Sequence, residues 1–264
     1  MTGSGGIMMT TSNQSCSFIP ISKLSQWNIE PPKYQRFLDI AHENDLYEKI
    51  NPYPCFQPTP IVLGIHNHCI YVADGQHRLR VYKRLWQDNR VEFPVFITLV
   101  TCTTNDELFK LFQLANGSRP FEVPSSPEDM NMAKDVAEHF AKRYKKIFKV
   151  SLKPKAPHTS INTFAEALGR LAPKFPSSTE LIRAVEELND QCKNMHHDSF
   201  GQRFKDFQKF KKDAREKGGF YLGVFSTSEL WVDILLGTRP APEKRKTFNK
   251  AQRKKVWDRS FGPD

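Results

Sequence analysis

No stretch of the chain is apolar for long enough to cross a membrane, and the N-terminus has no charged segment leading into an apolar one. Neither a spanning helix nor a secretory leader is expected, so the sequence reads as an intracellular protein of cytoplasm or nucleus, with no membrane partner. Cysteine is sparse. Cys16, Cys55, Cys69, Cys102 and Cys192 are odd in number and lack paired spacing, which suits a reducing compartment better than a disulfide framework. Acid is scarce beside base: 29 Asp and Glu stand against 39 Lys and Arg, a formal net charge of +10. That balance favours nucleic acid or phosphate-rich ligands as partners. Residues 141–155 carry Lys142, Arg143, Lys145, Lys146, Lys149, Lys153 and Lys155 without one acid. No internal repeat divides the 264 residues, which suffice for one large domain or two small ones.

What the chain does have is one short stretch where its patterning changes abruptly. Ile70, Tyr71 and Val72 form an apolar run that breaks at Asp74 and Gly75, after which Leu79, Tyr82, Leu85 and Trp86 recur at helical spacing. The pattern predicts strand, tight turn and helix, with Gly75 at the sharpest bend. Gln76, His77 and Arg78 then fall on the first helical turn, where unpaired N–H groups and a partial positive charge suit an anion. Arg78 adds a fork of donors for phosphate oxygens, and His77 can donate or accept near neutral pH. Asp74 either caps the turn or helps to hold Mg²⁺ through water.

Asp74-Gly75-Gln76-His77-Arg78 resembles the signature of the DGQHR proteins, within the ParB/sulfiredoxin superfamily of nucleotide-binding domains. Other segments resemble superfamily features in the same order: an opening strand at 18–24, a glutamine–arginine segment at Tyr34, Gln35 and Arg36, strands at 60–63 and 93–100, and an asparagine-x-x-arginine segment from Asn116 through Ser118 to Arg119. The resemblance implies an α+β fold, a small mixed sheet with helices, followed by an all-helical C-terminal region. It implies a nucleoside triphosphate (ATP or CTP), with Mg²⁺ as a companion, whose phosphates sit on Gly75, Gln76, His77 and Arg78 with Arg36, Asn116, Ser118 and Arg119 closing around them. His77 is the one catalytic candidate, orienting a phosphate or a water. Two departures matter. Gln76 stands where sulfiredoxin has its cysteine, which excludes that thiol chemistry, and Ala115 stands where ParB has an acid, against ParB-style metal binding and hydrolysis.

The division expected along the chain is a disordered lead-in over 1–15, the nucleotide-binding domain over 16–124, a helical domain over 125–237 and a basic tail over 238–264. A short helix is expected within 35–50, and Thr104 or Asn105 should cap the next. Ser126-Pro127-Glu128-Asp129 is a helix start, and Met130, Ala133, Val136, Phe140, Tyr144 and Ile147 extend its apolar stripe to about 149. Further helices are predicted at 162–171, 179–195 with Ser178 as cap, 203–217 and 227–236. The connection over 172–178 is too long and proline-rich for a helix-turn-helix. His66, His68 and Cys69, like Cys192 with His196 and His197, make incomplete zinc sets, because structural zinc takes four ligands. DNA or another nucleic acid would be held by the lysines of the 130–149 helix and by the tail, where Phe248 and Trp257 interleave the bases. Such contact is largely indifferent to sequence. The functional reading is a nucleotide-binding protein that acts on or regulates DNA, with slow nucleoside triphosphatase (hydrolase) activity as its enzymatic form. The alternative is a non-catalytic DNA-binding scaffold that keeps the fold, and a nuclease ranks last because acids are few.

Overall fold

The computed structural model describes residues 13–55, 57, 59–116, 126–151, 154–200, 204–225 and 227–238, and has an α+β fold. Its N-terminal half holds five strands, β1 (Gln14–Pro20), β2 (Ile29–Glu30), β3 (Ile61–His66), β4 (Cys69–Asp74) and β5 (Pro94–Thr101). Four helices accompany them: α1 (Ile21–Ser25), α2 (Ile40–Ile50), α3 (Gln76–Asn89) and α4 (Asn105–Ala115). The strands form one mixed sheet in the order β1-β5-β3-β4-β2. The outer pair β1–β5 and the central pair β3–β4 are antiparallel, whereas β3–β5 and β2–β4 are parallel.

Strand periodicity sorts side chains between the two faces of this sheet. Ile61, Leu63 and Val72 join Leu79, Tyr82 and Leu85 of α3 and Ile21 and Leu24 of α1 in one buried core. On the opposite face α4 lies so close that a Cβ at Gly64 would overlap the Leu108 side chain. The β3–β4 hairpin turns at Asn67 and His68, both left-handed with φ of 49° and 62°, as a two-residue hairpin loop requires.

The C-terminal half is built on α5 (Pro127–Arg143), α6 (Ile161–Leu171), α7 (Ser178–Gln191), α8 (Phe204–Glu216) and α9 (Ser228–Leu235). One two-residue parallel pair, β6 (Phe148–Lys149) with β7 (Thr159–Ser160), interrupts the expected all-helical order. Phe140, Phe164 and Phe220 meet at centroid distances of 5.5 to 5.9 Å in the centre of the second core. Ser126 and Asp129 close a reciprocal capping box at the start of α5.

Several boundaries differ from expectation for local reasons. The opening strand runs from Gln14, inside the stretch assigned to the lead-in, and stops at Pro20 rather than 24. Ile21 and Leu24, three apart, bury themselves in a helical turn instead. Asp39 caps α2, its carboxylate accepting from the Ala41 and His42 amides, so the helix expected within 35–50 occupies its last eleven residues, Ile40–Ile50. Ser177, not Ser178, caps α7 by accepting from the Glu180 amide. The long helix ends at Arg143 instead of 149: Tyr144 is its C-cap, yet Ile147 stays buried from the following turn. Lys145 and Lys146 therefore stand on that turn and Lys149 on β6, not along one helical ridge. Residues 1–12 and the tail from 239 lie outside the described residues.

The two halves are joined through the 34–37 segment. Lys134 of α5 donates to the Gln35 carbonyl at 2.8 Å, and Lys33 pairs with Asp135 at 2.7 Å. Asn162 of α6, 5% exposed, clasps the Phe37 backbone, accepting from its amide at 2.8 Å and donating to its carbonyl at 3.4 Å. Replacing Asn162 by leucine leaves that amide without an acceptor, and equilibrium urea unfolding should show a loss of about 1–3 kcal/mol. A loss within a few tenths would mean the clasp contributes nothing.

Candidate functional site

β4 passes into α3 through a single residue. Gly75 sits at φ 85°, ψ 22°, where a Cβ would lie 2.6 Å from Ile61 Cδ1, so both backbone and space require glycine. The first helical bond runs from the Leu79 amide to the Gly75 carbonyl at 2.8 Å. The Gln76, His77 and Arg78 amides precede it and have no carbonyl within the helix to bond. Among the described residues no side chain caps α3, and no acid lies in its first turn. The neighbouring α2 has its own anion in Asp39, and α4 to α7 each have a serine or threonine cap. The uncapped α3 start opens on a cavity of about 280 Å³ whose walls include Arg36, His42, Gln76, His77 and Arg78.

The sequence-predicted residues divide according to what they already hold. Arg36 lines the cavity; its Nε lies 3.6 Å from Glu166 Oε1, too far for a hydrogen bond, and is buried without a hydrogen-bond partner. Arg78, by contrast, has both terminal nitrogens engaged. Nη1 donates to the Thr59 carbonyl and hydroxyl, and Nη2 to the Pro60 carbonyl at 3.2 Å and to Asp74 Oδ2 at 2.9 Å. All four terminal N–H bonds are thus committed, and the side chain clamps the 59–60 loop to the turn rather than presenting a free fork. Asp74 is the partner that neutralises it. Gln76 donates to the Arg36 carbonyl at 3.3 Å. Asn116 closes α4, donating to Phe112 at 2.8 Å and to Ala73 at 2.9 Å, which leaves only its acceptor oxygen for anything else. Ser118 and Arg119 lie outside the described residues.

Sequence reasoning named Gln35 without a role and missed two lining residues, His42 and Leu46. Gln35, 3% exposed, donates to the Val72 carbonyl at 3.0 Å and so ties its segment to β4 beside the turn. His42 and Leu46 line the cavity from α2. Only the four-residue spacing of the last two on a helix signals that they share a face, and nothing in it names what the face meets.

His77 accepts the Asp39 amide at Nε2, 3.2 Å away, so its proton resides on Nδ1. Burial lowers its pKa below the ordinary 6.5, and His42, at 5.1 Å between ring centroids, lowers it further; Glu43 and Asp39 pull the other way. Because the folded value lies under the unfolded one, this contribution to stability is complete above pH 6.5. It falls as the pH drops through 6.5 toward the folded value, where protonation also removes the acceptor for Asp39. A proton NMR titration should place the His77 midpoint below 6.5, and a midpoint at or above it would contradict the burial argument.

No protein-family model matches the chain, and no curated protein matches it. Among solved structures it is similar to the C-terminally truncated chromosome-partitioning protein ParB from Caulobacter crescentus complexed with CTP-gamma-S. The identity is 10%, the alignment covers 84% of this chain and 99% of that one, and the TM-score is 0.29. A likeness of that size sets no residue correspondence between the two chains.

Proposed function

We propose that this protein binds the phosphates of a nucleoside triphosphate, ATP or CTP, at the start of α3. The observation that carries the reading is the first turn of a 14-residue helix, without a side-chain cap among the described residues, opening on a cavity lined by Arg36 and by the Arg78–Asp74 pair. Three adjacent amides and the helix dipole favour an oxyanion there, Arg36 supplies a full charge, and His77 can donate from Nδ1. At about 280 Å³ the cavity lies just under the usual range for small-molecule sites, roughly 300–1,000 Å³. That size suits a phosphate chain better than a whole nucleotide. Asp74 keeps Oδ1 for a hydrated Mg²⁺ accompanying the phosphates, since Arg78 holds Oδ2. The proposal is of binding, with no hydrolytic step: His77 Nε2 is engaged by Asp39, and Asp74 is neutralised by Arg78.

A substitution that separates folding from binding is Gln76→Glu. An acid in the first turn favours the helix dipole, by about 0.3–1 kcal/mol, and offsets the lost bond to the Arg36 carbonyl. The same charge repels an anion at that turn. Stability should stay within about 1 kcal/mol of the parent, while affinity for ATP, CTP and inorganic tripolyphosphate falls more than about tenfold by calorimetry. Equal affinity in the variant would remove the α3 start from the reading.

The proposal extends to nucleic acid, which the exposed lysines of 142–149 support. Lys142 pairs loosely with Glu138 at 3.8 Å and Arg143 with Glu186, whereas Lys145 and Lys146 stand exposed on the turn after α5. If both neutralise phosphates, Lys145→Ala with Lys146→Ala should lower duplex DNA affinity alike for all sequences and flatten the log–log salt slope by about 2. An unchanged slope would show that these lysines are only a solvated turn.

A further inference from the structure

Arg36 lines two cavities at once. One is the cavity at the α3 start, which it shares with Gln76, His77 and Arg78. The other, of about 20 Å³, it shares with Phe37, Lys134, Asn162 and Glu166. This smaller cavity lies in the junction of the two halves, because Lys134 belongs to α5 and Asn162 and Glu166 to α6. Glu166 lines the smaller cavity and not the larger. Two anions therefore have a claim on one guanidinium: the Glu166 carboxylate, and an oxyanion entering at the α3 start.

The claim of Glu166 is loose in geometry but carries a full charge. Oε1 lies 3.6 Å from Nε, beyond hydrogen-bond range for that pair, and Nε has no other hydrogen-bond partner among the described residues. The two side chains are 24% and 36% exposed, so their attraction is less screened than between fully solvated ions. Neither makes a second ion pair among the described residues. Lys134, the other cation of the smaller lining, gives its ammonium to the Gln35 carbonyl at 2.8 Å and stands over the Phe37 ring. Glu166 is thus opposed chiefly by Arg36. A carboxylate so placed offsets the positive charge that Arg36 offers to the α3 cavity.

We infer that Glu166 sets the anion affinity of the α3 cavity by competing, from the helical half, for Arg36. The inference rests on the phosphate reading of that cavity. Glu166 does not touch the anion; it acts through the arginine. The effect is reciprocal, so a bound oxyanion weakens the hold of Glu166 on Arg36 to the same degree.

The test is calorimetry of the full chain with inorganic tripolyphosphate. Glu166→Gln keeps the length of the side chain and removes its charge, and should tighten binding by about threefold to tenfold. In an Arg36→Gln background the same substitution should give less than half of that gain on a logarithmic scale, because the group competed for is gone. A role confined to folding would not produce that dependence on Arg36. Thermal unfolding checks that each variant is folded, and should Glu166→Gln fail to fold, Glu166→Ala, which also suits a helix, is read in its place. Tripolyphosphate binding by the parent that Glu166→Gln leaves unchanged or weakens would overturn the inference alone, as would an equal gain with and without Arg36. No binding of tripolyphosphate by the parent would overturn the phosphate reading and this inference together.

Discussion

The left-handed turn at Gly75 is the constraint on which the rest of the site depends. Because β4 enters α3 through one residue, no side chain is in position to cap the helix, and three amides are delivered together to one cavity. Such a turn needs an external brace. Arg78 provides it by tying the turn to Asp74 and to the 59–60 loop that enters β3, while its engaged guanidinium adds little free charge of its own. Among the described residues that line the pocket, the cation less committed than Arg78 is Arg36, whose Nε is buried without a hydrogen-bond partner and only loosely opposed by Glu166.

Arg36 is placed by a segment that belongs to both halves of the molecule. Gln35 bonds β4, the Gln35 carbonyl is held by Lys134 of α5, the Arg36 carbonyl by Gln76, and the Phe37 backbone by Asn162 of α6. Four hydrogen bonds to four elements thus fix three consecutive residues. Tyr34, together with Phe109 and Phe112 of α4 and Met130 of α5, adds an apolar cluster that likewise joins the two halves. The expected division at 124/125 lies outside the described residues, and the described residues of the two halves share a junction of buried polar and aromatic groups, where an unpaired amide would be costly.

Much of this was legible in the chain. The switch from β-branched run to helical spacing at Asp74 and Gly75 places β4, the turn and α3 correctly, because glycine at a sharp bend and a 3.6-residue period are both local properties. Ser126 likewise announces α5. Spacing fails where a buried residue continues a helical period from outside the helix, as Ile147 does beyond Tyr144, or where a strand pattern conceals an i, i+3 pair, as at Ile21 and Leu24. Side-chain roles were less legible than backbone ones. Arg78 reads as a phosphate fork until its partners at Thr59 and Pro60, nearly twenty residues earlier, are seen to occupy it. Asn116 reads equally as cap or ligand, and its bonds to Phe112 and Ala73 use its donors for the cap. The smaller cavity that shares Arg36 draws on residues from 34 to 166, each ordinary by itself, so no local motif marks it.

The central claim is that the α3 start, whose first amides have no acceptor within the helix, is the anion site. The most direct measurement is a backbone amide NMR titration of the full chain with inorganic tripolyphosphate, read residue by residue. The account predicts saturable shifts that are largest at Gln76, His77 and Arg78 and extend to Arg36, with the α5 and α7 starts, already capped, unmoved. Saturable binding that shifts other amides and leaves those of Gln76 to Arg78 in place would contradict it.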